Sequence, residues 1–262
     1  MSILKNIRKA QSQGKGSTII VDRLDAYFGA GVFPPVIPVE IHTQKESDTA
    51  FHPSSDTDPC VRTQFAKMAG DIKREKPSAA LNRIFHIGHL LHGWLQSTLV
   101  DMDLCGEEHI EVEHRINSAR EVLDCSLDWR TDPKVLEADW WARGYADVTS
   151  LKVPGKGDYV LDIKTVRGMA FRDENPFGNF REKYERQMQL YCSWHQKDAA
   201  ILLAISKDTP HGLKEIIVQH DPKMVEDIYQ RWDVVADALR RDIPPKCSCE
   251  NHTVCPVKGL YG

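Results

Sequence analysis

Asp147, Asp162 and Lys164 are the residues whose types and spacing point most directly to chemistry. Asp147 closes the strand-like run GYADV, and Asp162 and Lys164 stand two apart in the apolar run YVLDIKTV. Strand side chains alternate between faces, so Asp162 and Lys164 share one. The Pro-Gly-Lys-Gly-Asp segment between the two runs predicts a hairpin turn that carries Asp147 to the same face. Two converging carboxylates suit a hard divalent cation, Mg2+ or Mn2+, because it wants oxygen ligands and because buried like charges need neutralising. A neighbouring ammonium can orient an attacking water and offset charge growing on a phosphoryl oxygen. That is a kit for phosphodiester hydrolysis.

Asp-x-Lys is a cheap pattern, and it recurs at Asp71–Lys73, Asp132–Lys134 and Asp221–Lys223. The first lies in a polar connection, and the other two carry Pro in the middle. Only Asp162–Lys164 sits in a β-branched apolar run with another acid one hairpin upstream. Alone, such a pair is more often a solvated strand face than a catalytic site. Two further features raise it. His92 in FHIGHLLHGWL can complete a carboxylate metal site, and Gly88 one turn earlier permits close approach of a backbone or ligand. Gln187 and Tyr191 share a helix face at i, i+4, where an amide and a phenol could hold a DNA strand and the attacking water. Each has a bland counterpart: a half-buried helix histidine, and an amphipathic helix with an aromatic stripe.

The elements that must position these groups follow from periodicity. Residues 1–53 lack sustained helical periodicity and predict an arm or small cap. Asp56 or Asp58 could cap a short helix through Cys60, Arg62, Phe65 and Met68 to Gly70. Leu81, Ile84, Ile87, Leu91 and Leu95 predict a helix over 79–100 with one buried stripe. Strand-like runs follow in HIEVEHRIN, REVLDCSLDW, ADWWARGYADVTSL and YVLDIKTV. A long helix is expected over about 177–196, then strands AAILLAISK and LKEIIVQH. Asp221-Pro222 opens a last amphipathic helix through Met224, Ile228, Trp232, Val235 and Leu239. The sum is an α/β protein of mixed sheet flanked by helices.

Seven cysteines in a chain with no apolar h-region at MSILKNIRKAQSQGKGS point to reduced thiols or metal ligands rather than a disulfide frame. Cys247, Cys249, His252 and Cys255 could hold Zn2+ locally. Cys105, Cys125 and Cys192 lack partner spacing and read as packing residues.

Gly-(x)3-His at 88–92, Gly-x-x-Asp at 144–147, Asp-Ile-Lys at 162–164 and Gln-(x)3-Tyr at 187–191 occur in the order seen in RecB-type nucleases of the PD-(D/E)XK superfamily. The chain resembles the stand-alone CRISPR-associated and phage RecB-like exonucleases and the AddB nuclease domain, over residues from about 54 to 256. The resemblance implies a restriction-endonuclease-like core at 54–246, an N-terminal arm or cap at 1–53 and a Cys-rich tail at 247–262. It implies that His92, Asp147, Asp162 and the backbone carbonyl of Ile163 bind metal. Lys164 would position the nucleophile, while Gln187 and Tyr191 orient substrate. In the iron–sulfur members, one cysteine before the core and three after it tie the chain ends with a [4Fe–4S] cluster. Cys60, Cys247, Cys249 and Cys255 match that order, and Cys60 matches in its Asp-Pro-Cys-x-Arg context. One residue rather than two separates Cys247 from Cys249, a departure that bears on cluster type.

The resulting expectation is a Mg2+- or Mn2+-dependent deoxyribonuclease, an exonuclease acting on single strands or ends of DNA in recombination, repair or end processing. The competing classes are a catalytically inactive nucleic-acid-binding protein with a structural zinc or iron–sulfur site, and a zinc-tailed structural protein. Charged residues make up 27% of the 262 residues and the net charge is −4, which excludes a histone-like basic coat. Any DNA contact must therefore come from local basic residues, expected in FREKYERQ and at Lys164–Arg167, or from metal ions. No run reaches membrane-spanning length, so the expected setting is the cytoplasm of a bacterial or phage-infected cell. The resemblance leaves room for a homo-oligomer or a recombination partner protein.

Overall fold

The computed structural model describes residues 18–31, 49–57, 60–72, 77–169, 175–208, 212–247, 257 and 259–261. In chain order its elements are α1 (Val21–Gly29), α2 (Val61–Met68), α3 (Ala79–Asp101), β1 (Ile110–Asn117), the one-turn α4 (Pro133–Leu136), β2 (Trp141–Val153), β3 (Gly157–Val166), α5 (Arg181–Trp194), β4 (Ala199–Ser206), β5 (Leu213–Gln219) and α6 (Pro222–Arg241). The strands form one mixed sheet in the order β1-β2-β3-β4-β5. Every neighbouring pair is antiparallel except β3 and β4, which run parallel because α5 carries the chain across between them. All eight residues of β4 are buried, the mark of a central strand covered on both faces.

Two helical layers cover the sheet. On one face α1 and α3 bury Leu24, Leu95 and Leu99 against Leu151, Leu161, Ile163, Ile201 and Leu203. On the other, α2, α5 and α6 bury Phe65, Met188, Tyr191, Ile228 and Trp232 against Ala142, Ala146, Val160 and Ala200. The α6 helix starts as its sequence dictates: the Asp221 side chain accepts from Lys223 N at 3.0 Å, and Pro222 occupies the first turn. Among the described residues no helix is long and apolar enough to cross a membrane.

One departure from a regular sheet creates the site. The β2–β3 ladder ends at Val148↔Leu161. Before Val148, β2 stays with β1, and beyond Leu161, β3 stays with β4. The two strands therefore fork. Phe51 occupies the freed edge of β2, donating from its N–H to Trp141 O at 2.9 Å and accepting from Arg143 N at 3.0 Å. Its ring is fully buried and stacks on Trp232 at 4.9 Å. So part of the expected arm is a structural wedge that lines the fork.

Other expectations are corrected. Within 1–53 a helix does form: Ile20 N and Val21 N donate to Glu215 on β5 at 2.8 and 3.1 Å, a cap supplied from another element that local periodicity cannot reveal. Asp56 does not cap α2. Cys60 holds the N-cap position, and Asp56 is buried, accepting from His52 N and Ser55 Oγ instead; Asp58 lies outside the described residues. REVLDCSLDW is not a strand beyond a single bridge from Val122 to Ile116, because the Asp124 and Asp128 carboxylates accept backbone N–H groups and fold it into turns. The stripe expected on α3 is buried only from its middle onward. Leu81, Ile84 and Ile87 are exposed, since the sheet underlies only the part of the helix from Gly88. The helix expected over 177–196 begins with a 3-10 turn at Gly178–Phe180, and α5 proper spans Arg181–Trp194.

Candidate active site

Asp147 and Asp162 lie at the mouth of the fork, each one residue past the last β2–β3 pair. Each is gripped by a helix from a different layer. From α3, His92 Nδ1 lies 3.5 Å from Asp147 Oδ1, and Gln96 Nε2 donates to the Asp147 carbonyl at 3.1 Å. From α5, Gln187 Nε2 donates to Asp162 Oδ1 at 3.2 Å. Across the gap, Ile163 N donates to Asp147 Oδ2 at 2.5 Å, so the carboxylate takes over a bond the missing ladder would have made. The Ile163 carbonyl leaves the strand on the same edge as this N–H and faces the fork too. Lys164 Nζ lies 2.5 Å from Asp162 Oδ2. His92, Asp147, Asp162, Lys164 and Gln187 line a cleft of about 460 Å³ together with Phe85, His89, Glu111, Arg143 and Lys207.

Two glycines set these approaches. A Cβ on Gly88 would stand 3.2 Å from Thr165 Oγ1, so α3 lies close over the end of β3 and delivers His92 one turn later. A Cβ on Gly144 would stand 3.0 Å from both Pro53 and the Tyr191 ring, so β2 can pass under α5 only without a side chain there. The close approach expected at Gly88 is thus met by the sheet itself.

Burial and mutual charge decide the protonation states. Burial pushes the Asp162 carboxyl up to about 6, and the Asp147 charge adds to the rise, while Lys164 opposes it. Burial acts the same way on Asp147, but His92, Lys164 and the Ile163 N–H outweigh it and hold this carboxyl below the ordinary range. Burial would depress His92, yet the facing Asp147 raises it. Burial would likewise depress Lys164, and Asp162 and Asp147 raise it instead. Asp147 is thus ionised, Asp162 titrates near pH 6, and Lys164 keeps its charge.

Gln187 and Tyr191 also line the cleft. Both are buried, with 3% and 2% exposure, and their polar atoms meet protein partners. Gln187 Nε2 also donates to Tyr191 Oη at 3.2 Å, and Tyr191 Oη donates to the Tyr145 carbonyl at 2.8 Å. In this arrangement they orient Asp162 and brace β2. Within FREKYERQ, Arg181 pairs with Glu185 and Arg186 with Glu182, each at 2.7 Å along the helix. The cations that do line the cleft are Arg143, Lys164 and Lys207. Sequence reasoning missed Gln96 and Glu111. Gln96 carried a usable signal, standing one turn after His92 on the same helix face.

Cys60 Sγ and Cys247 Sγ lie 4.0 Å apart across 187 residues of sequence. Cys249, His252 and Cys255 lie outside the described residues. Burial raises the thiols of Cys105 to about 11 and of Cys192 to about 12, consistent with inert packing.

No protein-family model and no curated protein matches the chain. Among solved structures it is similar to SSO0001, with 16% identity, 82% of this chain and 90% of that one covered, and a TM-score of 0.42. It is similar to the alkaline exonuclease LHK-Exo of Laribacter hongkongensis, with 12% identity, 74% and 89% covered, and a TM-score of 0.38. It is also similar to a protein from Eubacterium rectale named for an inferred exonuclease activity, with 11% identity, 86% and 93% covered, and a TM-score of 0.43. Two of the three carry exonuclease in their names. Scores this low carry no argument, so function must come from the geometry of the site.

Proposed function

We propose that this chain is a DNA nuclease dependent on Mg2+ or Mn2+, acting as an exonuclease in recombination, repair or end processing. The observation that carries the reading is the fork: two acids from adjacent strands, the half-buried Asp147 facing an imidazole and the buried Asp162 a lysine ammonium, in an open cleft. A structural salt bridge would need none of the remaining apparatus. Here separate helices hold each acid, and a strand pair is opened to seat them.

The donor set suits a hard cation. Among the described residues no three His, Cys, Asp or Glu side chains are already gathered for a metal ion. Mg2+ does not require such a cage, since it keeps several waters and binds through one or two carboxylates plus substrate phosphate. Asp162 Oδ2 is buried with an ion-pair contact to Lys164 but no well-directed hydrogen bond, and the raised Asp162 pKa marks a site short of positive charge. Asp147, Asp162, His92 and the Ile163 carbonyl would hold the ion. When bound, it would polarise the scissile phosphate and acidify a water. Asp147 stays ionised and fixed by Ile163 N–H, ready to ligate. Gln187 keeps Asp162 aimed at the cleft. Lys164 keeps its proton, so its ammonium can orient the attacking water and offset charge growing on a phosphate oxygen. Arg143 and Lys207 on the cleft wall would hold flanking phosphates.

The second part of the reading concerns the cysteines. The meeting of Cys60 and Cys247 favours a metal–thiolate clamp that includes Cys60 over a zinc site built from the tail alone. With Cys249 and Cys255 these would ligate a [4Fe–4S] cluster. DNA digestion in Mn2+ by the wild-type protein and the Lys164→Ala variant tests the nuclease reading. Sequestration of DNA without cleavage would favour an inactive nucleic-acid-binding protein.

A further inference from the structure

Phe85 lines the cleft, and the mechanism above does not use it. It shares a face of α3 with His89 one turn on and His92 two turns on, so its ring stands at the rim of the site. A single exposed apolar side chain is ordinary, and only its surroundings can give it meaning. Phe180, the other exposed phenylalanine of the described residues, stacks on Tyr184 with 6.3 Å between centroids. Phe85 is 48% exposed and has no ring partner among the described residues. Cations share the cleft with it: Arg143, Lys164 and Lys207. Lys207 donates its backbone N–H to the Val166 carbonyl at 2.9 Å, which sets it next to Thr165, where Gly88 brings α3 close to the sheet. Burial and the charge of Arg167 push the Lys207 ammonium down against the pull of Asp208, so this end of the cleft is short of negative charge.

Size limits what can enter. At about 460 Å³ the cleft has the volume of a small-ligand pocket, roughly 300–1,000 Å³, and Asp162 within it is only 2% exposed. A duplex, whose major groove alone is about 12 Å across, is too broad to reach that carboxylate, whereas one strand is not. A strand that enters must leave its own base stack, and an exposed ring at the rim can replace the lost contact. An aromatic face accepts any base while cations follow the phosphates, the combination that holds single strands without sequence preference. We propose that Phe85 stacks on a base of a single-stranded DNA end whose phosphates lie against Arg143 and Lys207, and so selects unpaired strands over duplex. This rests on the nuclease reading and deepens it by assigning the form of the substrate.

The test measures fluorescence anisotropy of a labelled single-stranded oligonucleotide in EDTA, intact or with abasic residues at its ends. The proteins are wild type, Phe85→Ala, Phe85→Leu, Phe85→Trp and, as a control outside the cleft, Phe180→Ala, and degradation in Mn2+ accompanies binding. Phe85→Ala should bind the intact strand roughly 5- to 150-fold more weakly, the loss of one stacked base. Phe85→Leu, which keeps apolar bulk without the ring, should also bind at least several-fold more weakly, while Phe85→Trp and Phe180→Ala should match wild type. Abasic ends should weaken wild type by a similar factor and leave Phe85→Ala unaffected, a coupling that a merely structural role does not produce. In Mn2+, Phe85→Ala should raise KM for single strands with kcat nearly unchanged. Unchanged binding in Phe85→Ala or Phe85→Leu overturns the proposal, as do equal abasic losses with and without the ring, or a wild type that binds duplex as well as single strand. A wild type that degrades DNA while every Phe85 variant matches it overturns this inference alone. A wild type that binds single strands with the expected Phe85 dependence but never cleaves them overturns the nuclease reading and supports the stacking site.

Discussion

Asp147 is half-buried and Asp162 buried, and their different partners move the two carboxyls in opposite directions. Asp147 accepts the Ile163 N–H and faces His92, which keeps it ionised, whereas burial and its neighbour's charge lift Asp162 to about 6. A cation at this site must displace the proton from Asp162 whenever the pH lies below that value. His92, raised by Asp147, competes in the same direction. Mn2+ affinity should therefore be full only above the raised His92 pKa, itself above the ordinary 6.5, and fall as the pH drops through it and on through about pH 6, by up to roughly tenfold per pH unit for each displaced proton. Calorimetry across this range checks the prediction, and Asp162→Asn should bind weakly and lose the part of the dependence near pH 6. An affinity that stays flat through pH 6 would count against the Asp162 assignment.

At the scale of elements, the strand alternation of YVLDIKTV and the hairpin turn made β2, β3 and their acids legible, because one period and one turn type decide them. The fork was not legible. It depends on Phe51 filling a strand edge about ninety residues distant in sequence, and on Gly144 letting β2 pass beneath Tyr191. Nor could spacing alone show that Gln187 and Tyr191 turn inward to Asp162 and the Tyr145 carbonyl. Another tertiary feature joins β1 to the end of α5: the His114 ring stacks on Trp194 and meets His195 edge-on, each pair at 5.1 Å between centroids. Burial pushes both imidazoles down to about 4, and their mutual repulsion adds to the fall for His195. The unfolded chain takes up protons on both rings near pH 6.5, while the folded rings stay neutral until about pH 4. Their contribution is complete above pH 6.5 and is lost as the pH falls between these values. His114→Phe keeps an aromatic stack and removes one titrating ring. Its acid-unfolding midpoint should shift to lower pH, and an unmoved midpoint would show that the pair does not set the acid limit.

At the scale of the whole molecule, the contact of Cys60 with Cys247 joins the start of α2 to the segment after α6, and Arg62 Nε donates to the Pro245 carbonyl at 3.1 Å alongside it. A metal held there would bind the native state alone and add its binding energy to stability. Protein purified without oxygen should be brown, with iron and sulfide in equal amounts. Cys60→Ser should lose the colour and melt at a lower temperature, while Cys125→Ser should do neither. Colourless protein with stoichiometric zinc and a freely alkylated Cys60 would reject the cluster and leave the nuclease reading in place.

In the proposed nuclease the forked strands carry phosphodiester hydrolysis through Asp162 and Lys164. The most direct measurement is single-turnover degradation of end-labelled linear DNA in Mn2+ by wild type, Lys164→Ala and, as a control, Lys152→Ala at an exposed position of β2. The wild type should release label from linear DNA, spare circular DNA and stop when EDTA is added. Lys164→Ala should bind DNA normally yet cleave about 10²–10³-fold more slowly, the usual loss for a donor that stabilises transition-state charge. Wild-type cleavage rates in Lys164→Ala, or degradation that persists in EDTA, would contradict the account.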